Sequence, residues 1–527
     1  MTEVSAIPVW RQKRTSPAPT GREAADVVVV GAGPVGLTAA LDLGRRGRRV
    51  IVLSRLDFVA AGSKAICFAK RSLEVFDRLG VGDAMVDKGV VWNVGKVFWR
   101  DTPEPIYQFD LLPVKSQRRP AFINIQQYHV EDRLIAALDA LPNVELRWGH
   151  QALDLRDGVD SVSVEVGVGD HRYAIDAEYL LACDGSRSTI RERLGLDFEG
   201  RVFEDNFLIA DIKMKGERPP ERWFWFDPPF NGAQSALLHK QPDDVWRLDF
   251  QLGCDIDRAA SVRPENVEPY VRAMLGPDVE FTPEWYSVYT FQCRRMARFV
   301  HGRVIFAGDS AHLVSPFGAR GCNGGIADVD NLGWKLDLVL KGDADAGLLE
   351  TYDHEATVAA DENILNSSRA TDFMTPKSAA SRAIREAVLE LAADHPFARP
   401  LVNSGRLSTA VSYPDSPLNT ADTDRWSGGV APGSPAIDAP WSDDWLLDRL
   451  GGEFVLLQDG GDCQPAAGLK ILQIADIPFD LSLLRERYDL QPGGAYLFRP
   501  DQYVAARWKA ATPTAVTTAL ARARGES

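Results

Sequence analysis

Residues 31–36, Gly31-Ala32-Gly33-Pro34-Val35-Gly36, have the composition and spacing to hold a pyrophosphate on backbone alone. Four valines at 27–30 precede them, and Val35, Leu37, Ala39, Ala40 and Leu43 recur at helical spacing. The motif therefore sits where a buried strand turns into a helix. There Gly31 permits the turn, Gly33 lets backbone approach the phosphates, and Gly36 lets the helix pack on the strand. The N–H groups at the helix start bind the anion. This spacing predicts a bound dinucleotide.

Two further stretches carry groups suited to the same ligand. In CDGSRS, residues 183–188, a strand ends at the Asp184-Gly185 turn. Asp184 can hydrogen-bond there, and Arg187 offers a cation to phosphate. In residues 302–336 a strand runs to Gly308-Asp309, followed by a Gly/Pro-rich loop and a helix with Ile326, Val329, Leu332 and Leu336 on one face. An acid at a strand's carboxyl end, leading through glycines into a helix N-terminus, is a second cofactor-contacting arrangement. The acid expected at the end of the second strand, where ribose binds, is replaced by Ser54, with Arg55 next and Asp57 slightly late. The Ser54 hydroxyl can still bond ribose. Lys64, Lys70 and Arg71 place cations near this region. No GK[ST] follows a glycine loop, and the six cysteines are scattered without CxxC or metal-ligand spacing, so no metal is expected.

Positioning these groups takes several domains, which 527 residues allow. The pattern predicts an α/β chain, α+β overall, with a Rossmann-type nucleotide domain built from 26–90, 122–200 and 295–345. Aromatic-rich alternating strands in 91–121 and 201–294 form an inserted, mainly antiparallel sheet domain that could wall a pocket. Helices at 346–411 connect to a linker rich in Pro, Ser, Asp and Gly at 412–440. The order of elements in 441–527 suits a small thioredoxin-like domain, which without CxxC is structural or serves oligomerisation. Residues 1–25 are polar and Pro-rich, an extended arm on its own or another subunit, with disorder equally open. The formal charge of −15 argues against nucleic acid or an anionic membrane as the main partner. Scattered cysteines, no apolar run of membrane-spanning length and no signal peptide point to the cytoplasm.

GAGPVG, CDGSRS and AGDSAHLVSPFGARGCNGG, in this order, resemble the FAD-dependent aromatic hydroxylases, the single-component class A flavoprotein monooxygenases. The likeness runs from about residue 26 to 340, and RPDQYVAARW near the end is similar to the tail domain of the phenol hydroxylase and 3-(3-hydroxyphenyl)propionate hydroxylase branch. The resemblance implies that Gly31, Gly33 and Gly36 face the FAD pyrophosphate and that Asp309 binds the ribityl chain. It places Pro316 and the backbone of Gly321, Cys322 and Asn323 along the isoalloxazine ring, with Gln127 near the flavin. Asp184 and Arg187 match the family's DG motif, linked to FAD and NAD(P)H, and Lys64 stands where the family usually has arginine. Arg320 occupies a spot often held by glycine or glutamine. A homodimer is implied through the tail domain.

The implied reaction has NADH or NADPH docking transiently to reduce FAD. Oxygen then forms a flavin C4a-hydroperoxide, which survives only where water is excluded and whose distal oxygen attacks an electron-rich ring. A phenol is the natural substrate, and a base or hydrogen-bond acceptor would raise its nucleophilicity. By residue type and position the candidates are His239, Arg247 and Tyr289, on predicted strands of the inserted sheet. His312 reads as loop structure. The alternatives are a hydroxylase tailoring a polycyclic or polyketide substrate, a flavoprotein reductase that transfers no oxygen, a halogenase, and a non-catalytic flavin-binding protein.

Overall fold

In the computed structural model, which describes residues 12–19, 21–59, 62, 64–112, 114–214, 218–232, 234–402, 409–464, 466–475 and 477–526, the valine run is an inner strand of the first sheet. Strand β1 (Glu23–Val30) leads through the glycine turn into α1 (Pro34–Arg45) and back to β2 (Val50–Ser54). Then follow β3 (Cys67–Ala69), α2 (Lys70–Arg78), β4 (Val90–Trp92), β5 (Val94–Trp99), β6 (Tyr107–Asp110) and β7 (Phe122–Asn124). Next come α3 (Gln127–Asp139), β8 (Val144–Trp148), β9 (Gln151–Asp157), β10 (Val162–Val168), β11 (His171–Ala182) and α4 (Thr189–Arg193). The aromatic-rich region gives β12 (Glu199–Lys213), β13 (Arg222–Phe226), β14 (Ala236–Lys240), β15 (Val245–Gly253), α5 (Pro264–Leu275) and β16 (Thr282–Arg295). After it run β17 (Val300–His301), β18 (Val304–Phe306), β19 (His312–Leu313), α6 (Gly321–Lys341), α7 (Leu348–Met374) and α8 (Ala379–Asp394).

The first sheet has the order β17-β18-β11-β1-β2-β8, with β10 and then β9 added beside β11. Strand β1 runs parallel to both β2 and β11, and β11 parallel to β18. Such strands are covered on both faces, which is why residues 27–30 and 50–53 are unbroken apolar runs and wholly buried. The carboxyl ends of β1, β11 and β18 therefore lie side by side, and each ends at one of the three motifs. This adjacency gathers the site.

The second sheet, ordered β19-β16-β12-β15-β14-β13-β5-β6, takes strands from both sides of α3 in sequence. Its neighbours are antiparallel except β5 and β13. Alternation along the strands gives its two faces different jobs. Ala210, Ile212, Leu238, Trp246, Leu248 and Phe250 pack on Val267 and Val271 of α5. The residues between them point the other way, toward the first sheet's domain. The small sheet β3-β7-β4 bridges the two, since Asn124 Nδ2 donates to the Lys240 carbonyl at 2.8 Å.

Beyond the loop region, β20 (Phe454–Gln458), β21 (Leu469–Gln473), α9 (Ser482–Tyr488), β22 (Ala495–Phe498), β23 (Val504–Trp508) and α10 (Pro513–Ala523) build the C-terminal unit. Its sheet order is β21-β20-β22-β23, with only β20 and β21 parallel. A buried charge cluster fixes it to the rest: Arg499 Nη1 donates to Glu355 Oε1 on α7 at 2.6 Å, and Lys335 Nζ on α6 donates to Glu355 Oε2 at 2.8 Å. At the other end of the chain, residues 12–19 lie along its own β8, where Ser16 Oγ accepts from the Trp148 amide at 3.0 Å. The first eleven residues of the expected arm lie outside the described residues.

Candidate functional site

The glycine turn has the geometry its spacing predicts. Gly31 has φ of 110°, and a Cβ there would sit 2.3 Å from the Cys183 carbonyl oxygen on the neighbouring strand. At Gly36 a Cβ would meet the Gly31 carbonyl oxygen at 2.0 Å. At Gly33, by contrast, it would meet no atom within 4 Å beyond its two chain neighbours, so this backbone faces outward from the fold. Pro34 opens α1 at a position whose N–H would have no helical partner in any case. The amides around Gly33 are thus open at the helix start. Val35 wedges against the third motif, within 3.0 Å of where Gly308 would carry a Cβ.

Ser54 is buried, and its hydroxyl donates to the Leu56 carbonyl at 3.0 Å, inside its own turn. Asp184 is half enclosed: Oδ2 accepts from the Ile190 amide at 3.2 Å while Oδ1 is buried without a partner. Burial raises its carboxyl above the ordinary value, against the Ser188 hydroxyl and local amides. Arg187 is exposed. Sequence reading missed its neighbour Arg191, whose Nη2 donates to the Ser186 carbonyl and Nη1 to the Ser310 carbonyl, both at 2.9 Å.

Asp309 presents an exposed carboxylate that accepts no hydrogen bond among the described residues. The protein around it nonetheless raises its pKa, opposed by His312 and by Lys64, which stands exposed on the facing loop. The turn is held from below by Asp328, also unseen in the sequence: its Oδ2 accepts from the Gly308 amide at 2.9 Å and lies 2.6 Å from His312 Nε2. Burial works against charge on His312, but Asp328 prevails and raises its pKa. Pro316 is exposed at the start of a tight turn that the Ala319 amide closes on its carbonyl at 2.9 Å. Asn323 staples that turn to the small sheet and α2, accepting from the Ala69 amide at 2.9 Å and Ser72 Oγ at 2.7 Å and donating to the Cys67 carbonyl at 2.9 Å. Its neighbours Gly321 and Cys322 are half-buried at the start of α6. Gln127 Oε1 accepts from the Ala65 amide at 3.1 Å, tying α3 to the Lys64 loop. Arg320 points away, donating to Asn363 Oδ1 on α7 at 2.8 Å.

His239, Arg247 and Tyr289 come together on the inward face of the second sheet. Arg222, His239, Arg247, Asp211 and Trp285 stand directly opposite one another on β13, β14, β15, β12 and β16. Asp249 is two residues along β15 and Tyr289 four along β16, on the same face. Arg247 is engaged by Asp211 through two hydrogen bonds of 2.8 and 2.7 Å. His239 Nε2 lies 3.2 Å from Asp249 Oδ2. Burial, with Arg222 and Arg247, pushes His239 down to about 4 against Asp249, so the imidazole is neutral at pH 7. Burial pushes Tyr289 up to about 12, against Arg247 and Ser287, making it a donor rather than a base. The rest of the face is apolar: Phe207 and Phe291 meet Phe317 of the Pro316 turn at ring-centroid distances of 5.1 and 5.2 Å. Trp285 presses on Gly62 beside Lys64, where a Cβ would come within 2.6 Å of its ring. An aromatic and polar wall thus faces the Asp309–Pro316 loops.

Among the described residues no group of three or more His, Cys, Asp or Glu could hold a metal, and no helix is long and apolar enough to cross a membrane.

Residues 24–367 match the family described as FAD binding domain, and the chain belongs to it. Fold, glycine turn and relatives together define an FAD-dependent aromatic-ring monooxygenase of the hydroxylase class. The chain is 29% identical over 441 residues to a 3-(3-hydroxy-phenyl)propionate/3-hydroxycinnamic acid hydroxylase of Mycolicibacterium smegmatis, covering 82% of this chain and 77% of that one. It is 28% identical to a 12-dehydrotetracycline 5-monooxygenase/anhydrotetracycline 6-monooxygenase of Streptomyces rimosus, over 93% of this chain and 96% of the relative. The fold matches the flavin-dependent monooxygenase PieE, solved with FAD and substrate, at TM-score 0.82 and 21% identity, over 97% of this chain and 100% of PieE.

Proposed function

We propose that this protein hydroxylates a phenolic ring, using O2 and electrons from NADH or NADPH, with the ring held between the second sheet and the Asp309–Pro316 loops. The observation that carries this reading is the inward face itself. Phe207, Phe291 and Phe317 offer an apolar, water-excluding seat, while His239, Arg247 and Tyr289 supply buried polar groups beside it. Bound FAD supplies the oxygen activation set out above.

The chain's own groups fit that cofactor. The amides around Gly33, next to Ala32 and Pro34, take the pyrophosphate; Asp184 Oδ1, buried without a partner, and the exposed Asp309 carboxylate are the acceptors for ribose and ribityl hydroxyls. Pro316, Gly321, Cys322 and Asn323 carry backbone along the ring, and Lys64 and Gln127 border it. The Ser54 backbone, more than its engaged hydroxyl, marks the adenosine end. Arg187, exposed beside Asp184, is the cation available to NAD(P)H. At the substrate, neutral His239 is the acceptor for a phenolic proton, Tyr289 is a donor, and Arg247 holds the polar end of the wall through Asp211.

The near-complete overlap with the Streptomyces relative favours a second reading in which the substrate is polycyclic. In either case the protein works in the cytoplasm, and the C-terminal unit is the surface for a homodimer. The test is NADH and NADPH oxidation by the FAD-loaded protein against a panel of simple phenols, hydroxylated aromatic acids and polycyclic phenols. Stimulation by a phenol supports the reading, and indifference to every member contradicts it.

A further inference from the structure

Two buried cations of the inward face, Arg247 and Arg222, are matched differently. Arg247 is fully engaged by Asp211, while Arg222, equally buried, has no carboxylate within 4.0 Å among the described residues. Its guanidinium lies over the rings of Trp92 and Phe224, 5.7 and 4.9 Å from their centroids, and Nη1 points to Cys67 Sγ at 3.7 Å. Its Nε–H has no acceptor. Burying such a donor unmatched is costly, so a ligand atom at that position would stabilise the site. Directly opposite, across the β13–β14 pairing, stands His239. Its Nε2 stands 3.2 Å from Asp249 Oδ2, and with the proton on Nε2, facing that carboxylate, Nδ1 is an acceptor. That Nδ1 is also buried without a partner. Arg222, Arg247 and Asp249 act on the imidazole and Asp211 pairs with Arg247, so the formal charges of these four sum to zero with His239 neutral.

An unmatched donor beside an unmatched acceptor describes a hydroxyl. We propose that Arg222 and His239 form the recognition site for the substrate's phenolic hydroxyl, with Arg222 Nε–H donating to the phenol oxygen and the phenol O–H donating to His239 Nδ1. A carboxylate would satisfy Arg222 but set a lone pair against Nδ1, so the pair selects a hydroxyl over an acid at this position. Before the ring reacts, the phenol O–H bond breaks: its proton moves to Nδ1 and its electron pair stays on the oxygen, which enriches the ring. The imidazolium then pairs with Asp249 and the phenolate with Arg222, and net charge is unchanged. Arg222 is thus a binding residue that fixes which ring atom faces the flavin loops. This inference rests on the phenol reading above.

The test is calorimetric titration of the oxidised, FAD-loaded enzyme with resorcinol, 3-(3-hydroxyphenyl)propionate, 4-nitrophenol and 2-hydroxyanthraquinone, each beside its O-methyl ether. The phenol that binds should do so about 10- to 100-fold more tightly than its ether, the ratio a hydrogen bond to a charged group supplies. Arg222→Met and His239→Gln should each shrink that ratio to about twofold by weakening the phenol alone, and Arg222→Lys should leave it reduced. FAD content reports whether each variant has folded, and the phenol-to-ether ratio on the unaltered enzyme stands without them. Equal affinity for phenol and ether, with the phenol still hydroxylated, overturns this inference alone and assigns the two atoms to a structural water. No binding of any phenol, with no NAD(P)H oxidation, overturns the functional reading beneath it as well.

Discussion

The Arg191 guanidinium donates to the Ser310 carbonyl at 2.9 Å, joining the turn after β11 to the turn after β18. With its second bond to the Ser186 carbonyl, it ties the Asp184 turn, whose Oδ1 is buried without a partner, to the turn that carries the exposed Asp309. The two turns are about 125 residues apart in sequence yet are tied together by this one side chain.

Arg191→Met keeps an apolar stem over the Phe198 ring, where the guanidinium now sits 3.9 Å from the centroid, but removes both carbonyl bonds. FAD affinity should fall by roughly tenfold, the equivalent of one or two lost net hydrogen bonds. Flavin fluorescence titration checks this, and phenol affinity of the fully loaded variant should be unchanged.

Glycines of the first motif should separate into two kinds. Gly36→Ala puts a Cβ 2.0 Å from the Gly31 carbonyl oxygen, so the strand–helix packing must give way and soluble yield should collapse. Gly33→Ala meets nothing in the protein, so the thermal melt of the apoprotein should be unchanged while FAD binding drops by at least about tenfold.

His312 should make stability fall as pH rises. Its folded pKa is raised by Asp328, so the folded state holds a proton the unfolded chain has released above about pH 6.5. The stabilisation is complete below the unfolded value and is lost as pH climbs through the folded one. The buried histidines with lowered values, His150 and His239, act only on the acid side. Melting temperatures from pH 6.5 to 8 should decline in the native protein, and His312→Gln should flatten that decline.

Glu355 accepts from Arg499, Lys335, Asn331 and Ser416 at the seam between α6, α7 and the C-terminal unit. Glu355→Gln leaves two buried cations short of a counter-charge, a cost of about 3–5 kcal/mol. Denaturant unfolding should show the loss, with the C-terminal unit separating from the remainder at lower denaturant.

The sequence made the first sheet legible because parallel, doubly covered strands are unbroken apolar runs, and because glycine spacing is a direct record of close backbone approach at Gly31 and Gly36. Asp309 was readable for the same reason, as an acid at a strand end. The supports were not. Asp328 and Arg191 look like ordinary helix residues, and only the fold shows that they hold the backbone of Gly308, Ser186 and Ser310. On the second sheet, His239, Arg247 and Tyr289 were legible by type, but their common face depends on strand register. Arg222 escaped notice because its significance is a missing partner, and Asp211 and Asp249 because a lone acid in a strand carries no motif. A signal was available there: acids alternating with Leu208, Ala210, Leu248 and Phe250 mark a polar inner face.

The measurement closest to the central claim is the mass of the product formed under 18O2 from the phenol that best stimulates NADH or NADPH oxidation. The account predicts a ring-hydroxylated product carrying one oxygen atom from O2. Consumption of the nicotinamide with the phenol returned unlabelled, and peroxide as the sole product across the whole panel, would contradict it.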